Sequence, residues 1–261
     1  MSGSNLNSDR GQISNLSPSE LANRVKAGEP RAVSRLITLL ENQEPAGQAA
    51  LERLNGFQRH AAVIGITGYP GAGKSTLIDQ LVTAYRRQGR KVGIVAVDTT
   101  SPRTGGALLG DRIRMQDHAV DGGVFIRSMA TRGERGGLAR ATRGAVRELE
   151  AAGYDVILVE TVGVGQLETD VADVAPTVVA VVAPGLGDEV QALKAGLLEM
   201  ANIVVVNKGD RDGADTTVKD LQEWHHKVVR TVAIKGEGIP ELIEAIAEHE
   251  RMIDLQGKTA L

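Results

Sequence analysis

Eight consecutive residues, Gly68-Tyr69-Pro70-Gly71-Ala72-Gly73-Lys74-Ser75, constrain this chain more than any others, because they directly follow the apolar run Ala62–Thr67. Two fixed glycines, a lysine and a hydroxyl residue at this spacing, set between a strand and the start of a helix, form the pattern of a phosphate-binding loop. The reason lies in the backbone. Small residues let successive N–H groups point into one concavity, and the helix that follows adds its positive N-terminal end. In that role Lys74 reaches the β- and γ-phosphates of a nucleotide and the Ser75 hydroxyl ligates magnesium, with Thr76 beside it in the first helical turn.

The rest of the chain keeps the rhythm that such a loop requires. Short apolar runs at 62–67, 92–97, 123–127, 155–160, 177–183 and 202–206, and a shorter one near 231–234, read as strands. Helix-length stretches at 74–88, 136–152, 188–200 and 216–229 separate most of them, and a last helix runs over 239–250. Alternation of this kind predicts an α/β fold with a mostly parallel sheet flanked by helices and ligands at the carboxyl ends of the strands. Ahead of it, Ser17-Pro18-Ser19-Glu20 carries a capping hydroxyl, a first-turn proline and a box-closing glutamate. Helices at about 30–41 and 46–57 follow. The expected organisation is a disordered lead over 1–16, an N-terminal helical extension over 17–58, a nucleotide domain over 59–250 and a short tail over 251–261.

Composition removes several function classes. The chain has no cysteine, which excludes disulfides, zinc-thiolate and iron–sulfur sites and thiol catalysis, and fits a reducing compartment. A net charge of −3 and 2% aromatics leave neither a basic footprint nor stacking platforms, so no nucleic-acid partner is expected. The polar first twenty residues lack a secretory h-region, and no apolar stretch approaches a membrane span, so a soluble cytoplasmic protein is expected.

Two further segments narrow the nucleotide and its chemistry. Asn207-Lys208-Gly209-Asp210 follows the apolar run Ile203–Val206. A carboxylate only accepts hydrogen bonds, and guanine offers N1–H and the N2 amine as adjacent donors where adenine has no such pair. Asp210 therefore reads the base, Asn207 buttresses the loop and the Lys208 stem lies over the ring. Glu160 ends the run Val156–Val159, three positions before Gly163. This acid can hold magnesium or its water, and the Gly163 N–H can bond the γ-phosphate and release it on hydrolysis. Asp98, closing another strand, and Asp111, in a glycine-rich stretch, are further candidates for the metal shell; the alternative for each is a helix cap or a solvated loop charge. Val164 stands where many GTPases carry a water-orienting glutamine, so hydrolysis should be slow unless Gln166, a partner or a dimer mate assists.

With these segments in hand the chain resembles the MeaB/ArgK family of P-loop GTPases, chaperones of adenosylcobalamin-dependent acyl-CoA mutases. The resemblance is carried by 65–76, Val97-Asp98-Thr99-Thr100-Ser101-Pro102, 105–115, Arg127-Ser128-Met129-Ala130-Thr131-Arg132-Gly133, 160–166 and 207–210, and it covers about residues 17–250. It implies a P-loop NTPase fold of the signal-recognition/MinD-like class and GTP hydrolysis with Mg2+ held by Ser75 near Asp98, Asp111 and Glu160. No tightly held organic cofactor is implied. It also implies mobile switches at about 98–115, 160–170 and 184–196, which would give Gly105, Gly106, Gly110, Gly163, Gly165, Gly185 and Gly187 a use. The implied partner is a mutase of the methylmalonyl-CoA mutase type, assisted in cofactor loading and protection. Thr231-Val232-Ala233 stands where the family has a guanine-contacting Thr-Ser-Ala segment, which leaves the backbone N–H groups at Ala233 and Ile234 for the base. A homodimer is one option, although the family's C-terminal dimerisation arm has no evident counterpart here.

Rival readings are a nickel-type GTPase metallochaperone, a signal-recognition-type GTPase, a small-molecule kinase and a GTP-sensing scaffold with little hydrolysis. The first needs soft or imidazole ligands, and the chain offers only five histidines, of which the adjacent His225 and His226 cannot face one way on a helix. The second lacks a Met-rich or basic RNA-binding region, and Asp210 argues against the third. Arg127, Arg132, Arg135, Arg140, Arg143 and Arg147 form either a solvated helix face or a surface for an acidic partner.

Overall fold

The computed structural model describes residues 16–57, 59–98, 118, 120–130, 140–161, 171–185 and 197–259. Helices α1 (Pro18–Lys26), α2 (Pro30–Glu41) and α3 (Pro45–Glu52) precede the sheet. Each begins on a proline, whose fixed φ suits the first helical turn and whose missing N–H costs nothing there. The box at Ser17 closes: its Oγ accepts from the Glu20 N–H at 3.3 Å, and Glu20 accepts from the Ser17 N–H at 3.0 Å.

Then follow β1 (Ala62–Thr67), α4 (Lys74–Arg87), β2 (Val92–Asp98), β3 (Val124–Ala130), α5 (Arg140–Ala151), β4 (Val156–Thr161) and β5 (Thr177–Val182). The chain closes with α6 (Leu197–Met200), β6 (Ile203–Val206), α7 (Ala214–Gln222), β7 (Val228–Arg230) and α8 (Ile239–Thr259). The seven strands form one sheet in the order β3-β2-β4-β1-β5-β6-β7, and every pairing is parallel. The phosphate-loop strand β1 therefore lies at the centre, between β4 and β5. Parallel strands buried on both faces read as unbroken apolar runs, and β1, β4, β5 and β6 are buried along their whole length.

Strand alternation sorts the core into two faces. Ile64, Ile66, Ile94, Leu158, Val179 and Val205 pack with Leu77, Ile78 and Leu81 of α4 and Leu242 and Ile246 of α8. Val63, Val95, Ile157 and Val159 face the other way, toward Leu149 of α5 and the apolar stripe Val33, Leu36, Ile37 and Leu40 of α2. Helices α1–α3 thus add a layer to this core. Arg127 on β3 reaches into the layer, donating to Thr38 Oγ1 at 3.1 Å and pairing with Glu41. Arg143 pairs with Asp173 and Arg147 donates to Asn55, so three members of the arginine series make intramolecular contacts. Arg132, Arg135 and the Arg140 side chain lie outside the described residues.

Four expected boundaries move. The helix expected over 216–229 ends at Gln222, and the last strand is 228–230 rather than 231–234. Val228 and Val229 are the residues that pair with Val204 and Val205, whereas 233–235 turn as a 3-10 helix closed by Gly236 at φ 73°. The helix expected over 46–57 ends at Glu52. Helix α8 continues to Thr259, so 251–259 extend a helix and are not a separate tail; His60 bonds Asp254 there at 3.0 Å.

Candidate nucleotide-binding site

Everything that was read as phosphate or base chemistry and is described lies along the C-terminal edge of the central strands. β1 ends at Thr67 and α4 starts at Lys74, so residues 68–73 make the turn. Gly68, Gly71 and Gly73 have φ of 133°, 81° and 98°, values that L side chains rarely adopt. Gly73 is doubly required, because a Cβ there would sit 2.3 Å from Asn207 Nδ2. Lys74 is only 8% exposed, and its ammonium donates to the carbonyls of Gly68 at 2.6 Å and Tyr69 at 3.2 Å. The loop's own main chain thereby holds the cation over the concavity it frames.

At the next residue, Ser75 Oγ donates to Glu160 Oε1 at 2.9 Å. Glu160 is buried at the end of β4, beside β1 in register with Ile66. A hydroxyl and a carboxylate within one hydrogen bond of each other form a hard, all-oxygen donor pair. That suits Mg2+, which takes one or two protein oxygens and completes its octahedron with phosphates and water. Among the described residues no group of three or more His, Cys, Asp or Glu could hold a metal alone. Asp98 is the last residue of β2, one step past Val97, which pairs with Thr161; its side chain is outside the described set. Asp111, Gly163, Val164 and Gln166 lie outside it too, as do most of the three switch segments.

The 207–210 loop is built onto the 68–73 loop. Asn207, buried at the end of β6, donates from Nδ2 to Ala72 O at 2.9 Å. Its Oδ1 accepts from Thr231 Oγ1 and from the Ala233 N–H, both at 3.1 Å. Lys208, at the unusual φ of 56°, donates to Gly71 O at 2.5 Å. Asp210 is half exposed and faces Lys235 Nζ at 3.6 Å. The Ala233 N–H, expected to serve the base, is thus engaged by Asn207, while Ile234 is 81% exposed and Val232 is buried. Thr231 and Lys235 were missed as site members. The Thr231-Val232-Ala233 segment pointed at Thr231, whereas no local signal marks Lys235, which meets Asp210 twenty-five residues away in sequence.

The family described as methylmalonyl-CoA mutase-associated GTPase MeaB matches residues 33–260, which takes in every segment of the site. The chain belongs to the MeaB family of GTPases. Relatives agree: a Pyrococcus horikoshii protein is 53% identical over 254 residues, covering 92% of this chain and 80% of its own. The GTPase ArgK of Escherichia coli is 35% identical over 257 residues, covering 92% of this chain and 78% of its own. A crystal structure described as an LAO/AO transport system kinase superposes with a TM-score of 0.71 at 29% identity, covering 93% of this chain and 78% of that one. As a MeaB-family P-loop GTPase the chain hydrolyses GTP on an all-parallel α/β scaffold. Among the described residues no helix is long and apolar enough to cross a membrane.

Proposed function

We propose that this GTPase assists an adenosylcobalamin-dependent acyl-CoA mutase of the methylmalonyl-CoA mutase type, coupling its nucleotide state to loading and protecting that enzyme's cofactor in the cytoplasm. The support for the partner is the family match over 33–260, whose description names a methylmalonyl-CoA mutase-associated GTPase. The absence of cysteine is compatible with a reducing compartment.

In this reading the nucleotide half rests on one observation: Asn207 ties the loop that would cradle phosphates to the loop that would read the base. Phosphate oxygens take over the Lys74 ammonium from the Gly68 and Tyr69 carbonyls, and the 68–73 backbone with the start of α4 supplies further donors. Ser75 and Glu160 hold Mg2+, which when bound neutralises charge developing on the β- and γ-oxygens. Asp98 and Asp111 complete that shell or its water, and Gly163 senses the γ-phosphate. Asp210 accepts from guanine N1–H and N2–H. With Val164 at the usual glutamine place, orientation of the attacking water falls to Gln166 or to the partner, and turnover alone is slow.

The test combines purified chain, GTP and apo-mutase. GTP turnover should rise on adding mutase, adenosylcobalamin loading should depend on GTP, and Lys74→Ala should abolish both. Asp210→Asn should shift preference from guanine to xanthine nucleotides, since Asn can donate to the xanthine O2 carbonyl. Turnover and loading that ignore the mutase would sink the partner assignment, and an unchanged preference for GTP would sink the base reading.

A further inference from the structure

We infer that Arg230 is a positioning residue for base specificity: it fixes the Gly209–Asp210 peptide, and through it the direction of the Asp210 carboxylate. The inference rests on the reading of Asp210 as the acceptor for guanine. Arg230 ends β7, the edge strand, and its guanidinium forks. Nη2 donates to Gly209 O, and Nη1 donates to Asp215 Oδ1 on α7 at 2.6 Å. The arginine stem lies against Gly209 so closely that a Cβ there would be 2.6 Å from Arg230 Cγ and 2.7 Å from Nε. On its other side the Gly209 N–H donates to Thr231 O at 2.9 Å.

Each of these contacts removes a freedom that matters for the next residue. Glycine has more accessible backbone conformations than any other residue, so an unanchored Gly209 would let Asp210 swing. The Gly209 carbonyl belongs to the planar peptide unit that also contains the Asp210 nitrogen. Holding its oxygen sets that plane, while the bond to Thr231 sets the preceding one. From the far side Lys235 Nζ, 3.6 Å from Asp210 Oδ2, faces the carboxylate, which has acceptor sites enough for both the lysine and a base. The Arg230–Asp215 pair is itself exposed, at 48% and 81%, so it adds little to global stability. Its consequence is local: the end of β7 holds Gly209 from two sides, and α7 steadies the arginine that does so.

The experiment compares GDP with IDP, which lacks the N2 amine but keeps the phosphates, so the phosphate loop cancels from the ratio of affinities. A hydrogen bond to a charged group predicts that the wild type prefers GDP by about tenfold or more. Arg230→Ala should shrink that ratio to about threefold or less. Arg230→Lys should not restore it, because an ammonium lacks the fork that spans Gly209 and Asp215. Asp215→Ala, at a highly exposed position, should give a smaller shift in the same direction, and it decides the matter if Arg230→Ala does not fold. Asp210→Ala serves as the reference and should bring the ratio near unity. If Asp210→Ala collapses the ratio while the Arg230 and Asp215 variants keep it, the positioning role is overturned and the base reading stands. If Asp210→Ala leaves the ratio intact, the base reading itself has failed.

Discussion

Replacing Asn207 with Ala is the most searching perturbation of the site, because a single amide joins three stretches of chain. Its loss removes the bond to Ala72 O and the two bonds accepted from Thr231 and Ala233, all buried. At roughly 1 kcal/mol per bond the cost is about 3 kcal/mol, and more if Ala72 O and the Ala233 N–H find no water. With a urea m-value of about 1–3 kcal/mol/M, the unfolding midpoint should fall by about 1 M or more. Gly73→Ala supplies the complementary probe: its methyl would lie 2.3 Å from Asn207 Nδ2 at a backbone φ of 98°. Strain of that backbone class costs about 1–3 kcal/mol by itself, and the clash adds to it. In the Asn207→Ala background only the backbone part remains, so the double variant should be more stable than the sum of the singles by at least about 1 kcal/mol. Urea unfolding followed by far-ultraviolet circular dichroism reads all four proteins. Additivity within about 0.3 kcal/mol would refute the claim that Asn207 and the phosphate loop meet as described.

Two further outcomes are expected. Ser75→Ala removes the hydroxyl paired with Glu160, and the Mg2+ concentration for half-maximal GTP turnover should rise about tenfold or more, no less than outer-shell changes produce at metal sites; an unchanged requirement would dismiss Ser75 as a ligand. Glu148, fully buried on α5 with neither carboxylate oxygen hydrogen-bonded among the described residues, has its carboxyl pushed well above the usual range by burial, against which the Arg127 charge pulls down. Its folded proton affinity exceeds the unfolded one, so stability is retained below the usual carboxylate pKa and lost as pH climbs toward the raised value. Glu148→Gln should flatten the fall in unfolding midpoint as pH is raised above about 4.5. The same slope in both proteins would place that proton elsewhere.

Much of the sheet was legible because parallel strands covered on both faces must be apolar at every position, and the phosphate loop marks which of them is central. Ser17-Pro18-Ser19-Glu20 marked a helix start for the same local reason. Legibility failed where tertiary contact overrides the local pattern. Val228 and Val229 form a strand because β6 offers an edge at Val204 and Val205, and a run of three residues is too short for its β-branched pair to settle the matter locally. Glu41 and Arg127 look like two solvated charges in sequence, yet meet across the joint between α2 and β3. Motif residues declared themselves through spacing, but Arg230 and Lys235 meet their partners Gly209, Asp215 and Asp210 only through the fold. Ala233 shows the converse, a motif position whose N–H is taken by Asn207.

The Asn207 tie also sets an order of events in the life of the polypeptide. Residues 72, 207, 231 and 233 must all be present for it to form. A ribosome adding about 5–20 residues each second will have released the phosphate loop many seconds before the chain that braces it emerges. A nascent or truncated chain ending before Ala233 has the glycine turn without its brace, and so lacks the joined pocket. If the brace is needed for nucleotide, competence comes late in synthesis, once the chain through Ala233 has been made and folded.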